Sequence, residues 1–124
     1  MTIANLQKPE SRAMARKVEK AEKAARLRAI HKYVDVRDKG RCRACGAFVK
    51  PDAKQLELRA HRHHITFRSA GGEDTTSNLV TCCAKCHADI HAYRMTASGN
   101  ADQSVAFSRE GGFTWYSGAV TVDE

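Results

Sequence analysis

The chain has 124 residues, 42% of them hydrophobic, which is enough for one compact domain with an arm and too little for a two-domain enzyme. Lysine and arginine total 21 against 14 acidic residues, and the net charge of +7 points to a polyanionic partner. No run nears the ~20 apolar residues of a membrane helix and no apolar secretory leader opens the sequence, so a cytoplasmic protein without a membrane partner is expected.

The charge is unevenly placed. Up to Lys50 there are 14 basic and 5 acidic residues, whereas the remainder holds 7 basic and 9 acidic. From Pro9 to about Lys39 the sequence predicts a helix, with proline suited to the first turn and Gly40 as its stop. Its apolar stripe runs through Met14, Val18, Ala21 and Ala25 and shifts to Leu27, Ile30 and Val34. The stripe is thin, so the first turns are expected to stand free. Arg16, Lys20 and Lys23 lie among a one-sided excess of basic residues there. That excess reads as an arm contacting phosphates, against the alternatives of an interaction helix, a disordered leader or a merely solvated face.

Arg41 to Lys50 reads as a hairpin or knuckle, followed by a turn at Pro51-Asp52. Leu56 to His64 reads as a strand, Ser69 to Thr76 as a loop around Gly71-Gly72, and Leu79-Val80 as a short apolar stretch. A second helix is predicted from Cys83 to about Met95. The tail then reads as a β-hairpin, Ser104 to Ser108 and Phe113 to Ser117, with Phe113, Trp115 and Tyr116 expected to cover the core; base stacking by these rings is the lesser alternative.

Five cysteines in a reducing compartment point to metal ligands or free thiols. Cys42 and Cys45 form one Cys-x2-Cys pair, and Cys83 and Cys86 form another, with 37 residues between the pairs. Two such knuckles can meet at one tetrahedral zinc, with sulfurs about 3.5 to 4 Å apart and Zn–S bonds near ~2.3 Å. Cys82 is left as a packed bystander. The His-x-Glu of a nucleobase deaminase and the His-Glu-x-x-His of a zincin are both absent.

Between and within the cysteine pairs lie His61, His63, His64, Asn78, His87 and His91. His87 and His91 are spaced i, i+4 on one helical face, close enough to share a cation or for His91 to support His87. His63 and His64 diverge on a strand, so one can hold a metal while the other meets a water or phosphate. A cation and an imidazole titrating near neutrality are what phosphodiester hydrolysis requires. His61 is read as an exposed strand position, with a supporting role as the lesser alternative, His31 is assigned to the surface, and Gly71-Gly72 to a flexible turn. Arg62 and Arg68 flank the site and could clamp phosphate.

The string His63-His64-Ile65, the Ser69-Ala70-Gly71-Gly72 loop, Asn78-Leu79 and Cys83-x2-Cys86-His87-x3-His91, framed by Cys42-x2-Cys45, resembles the zinc-containing HNH endonucleases of the ββα-metal type. The resemblance covers about Arg41 to His91. It implies an α+β fold: a small zinc-stapled ββα-metal unit over residues 40–95, with the basic helical arm over 1–39 and the hairpin tail over 96–124. It further implies that His64 is the general base, that Asn78 orients the loop and through it the His64 ring, and that His63, His87 and, as in some relatives, His91 ligate the catalytic ion. Cys42, Cys45, Cys83 and Cys86 would hold structural zinc. The ion could be Mg, Mn, Co, Ni or Zn, since a histidine-rich site does not demand Mg. The expected function is hydrolysis of DNA, as nicks by a monomer, leaving 5′-phosphate and 3′-hydroxyl ends, in a bacterial or phage-infected cell; a dimer or partner protein is left open. The rival from another class is a non-catalytic zinc module that binds nucleic acid.

Overall fold

The computed structural model describes residues 9–119. Residues 1–8 of the predicted arm and 120–124 of the predicted tail lie outside the described residues.

Helix α1 (Pro9–Asp38) runs as the sequence predicts and ends where Lys39 and Gly40 both take positive φ, 54° and 67°. Met14 and Val18 on its predicted stripe are exposed, and burial becomes complete only at Val34, Arg37 and Asp38. The last turn is fixed by charge. The Arg37 guanidinium donates to both Asp38 oxygens, to the Thr76 and Leu79 carbonyls and to Asp102. Asp38 in turn accepts from Arg43 and from the Thr81 amide. The three side chains of this Arg–Asp–Arg group each reach a partner from another element, which is the condition for tolerating buried charge.

The knuckle after α1 closes through an isolated bridge between Arg41 and Phe48, with Gly46 donating to the Cys42 carbonyl at 2.8 Å. The segment predicted as one strand from Leu56 divides. Leu56–Leu58 is a 3-10 turn, and only His61–His64 forms strand β1. The reason lies at Lys50, whose amide takes the Leu58 carbonyl and whose carbonyl takes the Ala60 amide, so the chain reaches the sheet by way of the knuckle. Strand β2 (Leu79–Cys82) pairs antiparallel with β1, with His61 opposite Cys82 and His64 opposite Leu79.

Helix α2 (Ala84–His91) is shorter than the predicted span to Met95. Tyr93 adopts φ 61°, and Arg94 donates back to the Asp89 carbonyl, closing the helix by a left-handed turn. Met95 then begins a strand that the sequence does not announce: β3 (Met95–Asn100) joins the predicted hairpin of β4 (Ser104–Arg109) and β5 (Phe113–Gly118) in an antiparallel sheet ordered β3-β4-β5. Only Met95 and Ala97 of β3 face the core, too few apolar positions to reveal an alternation. Val105, Phe107 and Met95 are fully covered, and Trp115 stacks on Phe107 and donates to the Ala44 carbonyl at 2.8 Å, binding the sheet to the knuckle. Phe113 and Tyr116 do not cover the core; they are 68% and 74% exposed.

Candidate active site

The four predicted sulfurs converge. Those of Cys42, Cys45, Cys83 and Cys86 lie within 4.8 Å of one another, with Cys45 and Cys83 at 3.7 Å, about the edge of a zinc tetrathiolate. None of them is in a disulfide. Cys83 also caps α2, its sulfur accepting from the Cys86 amide, so the second knuckle and the helix start are one structure. Cys82 stays outside the group, buried beside it. Its hydrogen bond to Cys42 pulls that thiol down to about 4, toward the thiolate that a metal needs.

The ββα unit assembles a second group. The alternation of β1 turns His61 and His63 to the face covered by α2, and the helical period of α2 brings His87 and His91 above them. The ring nitrogens of His63, His87 and His91 come within 4.8 Å of one another, the Nε2 atoms of His87 and His91 being 3.1 Å apart. His63 is 2% exposed, and its buried Nε2 has no hydrogen-bond partner among the described residues. Burial, followed by the neighbouring imidazoles His87 and His91, lowers the His63 pKa to about 4; burial and then His91 and His61 do the same for His87. Neutral imidazoles with an orphaned nitrogen directed among other donors fit a divalent cation.

His61 is not an exposed strand residue. It stacks on His87 at 4.9 Å, and its own Nε2 is buried without a partner among the described residues, so it braces the ring beside it. Phe67 does the same for His91, stacked at 5.3 Å.

His64 points to the opposite face of β1, where its Nε2 lies 2.7 Å from an Asp74 oxygen. Asn78 spans the loop between them: its Oδ1 accepts from the Thr66 amide, and its Nδ2 donates to the Thr66 and Glu73 carbonyls. Gly72 is more than a flexible turn, since a Cβ there would sit 1.8 Å from the Thr66 carbonyl oxygen. His31 is not a plain surface residue either. Half covered, it has its pKa lowered by burial and then by the Arg62 charge, while Asp35 and Asp74 act in the opposite direction.

A cleft of about 380 Å³ opens over these groups, walled by Arg62, Phe67, Arg68 and Tyr93. Arg62 is held by Asp35 at 2.7 Å, whereas Arg68 also borders a second groove shared with Lys23 of α1. Arg16 and Lys20 lie on the exposed half of α1, away from both. Sequence reasoning misses Asp74, Phe67 and Tyr93. Asp74 is one acid in a polar loop, and the two rings carry no periodic or spacing signal; only the folded loop and the helix end bring them to the cleft.

Two antiparallel strands and a helix gripping a histidine cluster, stapled by four cysteines, define a ββα-type metal-binding unit. Residues 42–92 match the family model described as HNH endonuclease, and they form an HNH domain. The chain is also 31% identical over 91 residues to the type IV methyl-directed restriction enzyme EcoKMcrA of Escherichia coli (strain K12), a match that takes in 69% of this chain. The chain spans about a third of that relative's length, 31%.

Proposed function

We propose that this protein is a metal-dependent endonuclease that hydrolyses phosphodiester bonds of DNA. The observation that carries the reading is the juxtaposition, across one strand, of three converging imidazoles and a fourth, His64, in a cleft edged by arginines. His63, His87 and His91 would hold the divalent ion, and Cys42, Cys45, Cys83 and Cys86 a structural zinc. When bound, the ion supplies positive charge at the scissile phosphate and the departing 3′ oxygen. His64 takes a proton from the attacking water, and Asn78 keeps the loop beside His64 in place. Arg62 and Arg68 contact the phosphate flanking the cut, and Arg16, Lys20 and Lys23 hold the backbone further along with little base readout. One such site cuts one strand, so the monomer nicks.

The test is conversion of supercoiled plasmid by the purified protein with Mn, Mg, Ni or EDTA, beside His64→Ala, on DNA from methylating and non-methylating hosts. Metal-dependent open circles from the wild type alone are expected. Plasmid binding without conversion under any metal and on either DNA would overturn the reading in favour of a binding module.

A further inference from the structure

The contact between His64 and Asp74 is built from both sides. The two side chains are 19% and 29% exposed, and their 2.7 Å separation depends on a loop that doubles back ten residues after the histidine. That loop is clamped where it matters. Asn78 Nδ2 holds the carbonyl of Glu73, the residue immediately before Asp74, at 2.9 Å, while its Oδ1 holds the Thr66 amide at 2.8 Å. The Gly72 amide donates to the Phe67 carbonyl at 2.9 Å, and the backbone at Gly72 passes so near Thr66 that no side chain fits. Asp74 is also outside the trio of histidines whose nitrogens converge, so its carboxylate is not spent on that group.

We infer that Asp74 is the positioning residue of His64, and that Asn78 acts on His64 through it. The inference rests on the reading of His64 as the proton acceptor. An ionised carboxylate only accepts hydrogen bonds, so the nitrogen facing it must carry the proton. The hydrogen bond from His64 lowers the Asp74 pKa, keeping the carboxylate ionised. The His64 ring is thereby fixed as the Nε2–H tautomer, and Nδ1 keeps the lone pair. When water attacks, its proton passes to Nδ1, its oxygen forms the bond to phosphorus, and the bond from phosphorus to the 3′ oxygen breaks, that oxygen taking a proton from solvent. The imidazolium so formed already has its counter-charge at 2.7 Å, and Asp74 itself neither receives a proton nor touches substrate.

The test reads the tautomer directly. In protein labelled with 15N at histidine and loaded with one equivalent of zinc, long-range 1H–15N correlation of His64 at pH 8 is expected to show Nε2 protonated and Nδ1 bare. Asp74→Asn, whose amide can either accept or donate, is expected to give a mixed or inverted tautomer. It should also lower kcat about 100-fold or more, with KM and Mn binding unchanged and most activity returned by Asp74→Glu. An Nδ1–H tautomer in the wild type, an unchanged tautomer in Asp74→Asn, or a changed tautomer with undiminished kcat would each overturn the inference. The tautomer needs no turnover to be read, so it decides the Asp74–His64 pair even if the plasmid assay goes against the nuclease.

Discussion

Burial sets the protonation of two histidines of this site. His63 and His87 stay neutral to about pH 4, against an ordinary value of 6.5, because burial disfavours the charged ring. The unfolded chain takes up protons at these positions below about pH 6.5, and the folded chain does not until about pH 4. Stability from this source is therefore complete above pH 6.5 and declines as the pH falls toward 4. With one equivalent of zinc bound, the urea midpoint is expected to drop between pH 7 and 5, and to drop less in a His63→Asn/His87→Asn variant. His64 belongs to the other face. Replacing it with alanine should cost about 100-fold or more in nicking while leaving the melting temperature and plasmid affinity within error, as gel shift and thermal melts would show.

Among the elements, the loop between β1 and β2 and the end of α1 bear the tightest constraints. Gly72→Ala would push a methyl group onto the Thr66 carbonyl oxygen and should destabilise the protein by at least about 1 to 3 kcal/mol, with activity falling before the fold is lost. Denaturant titration beside the plasmid assay tests both parts. Arg37 ties α1 to β2 and to the turn that carries Asp102. Arg37→Met leaves Asp38 and two carbonyls short of a donor, and its expected cost is about 3 to 5 kcal/mol, measurable by the same titration. Neither constraint shows in the letters. A glycine pair reads as a turn whether or not a backbone crosses beside it, and an Arg-Asp pair at a helix end reads as solvated until another element buries it.

Over the whole molecule, charge and metal divide the work. The first half of α1 is exposed, so Arg16→Glu/Lys20→Glu/Lys23→Glu should leave the melting temperature unchanged while weakening DNA binding. The slope of log affinity against log salt should become shallower by up to about 2.7, and equilibrium binding at several salt concentrations measures it. Removing the metal at the four cysteines should unfold the core, because three of them, Cys42, Cys83 and Cys86, are themselves core residues, and circular dichroism during chelation would follow the loss.

The sequence by itself determined what spacing can encode. The two Cys-x2-Cys pairs, the i, i+4 histidines and the long basic run identified the four-cysteine frame, the helix and the family resemblance, because knuckle geometry and helical period are local properties. Only the tertiary structure decided which side chains share a space. It turned His61 from an exposed strand position into the brace of His87, drew Met95 out of the predicted helix into a third strand, left Phe113 and Tyr116 in solvent, and set Asp74 against His64. Those outcomes depend on where a loop returns and what lies opposite a strand, and such contacts join residues whose separation along the chain carries no period.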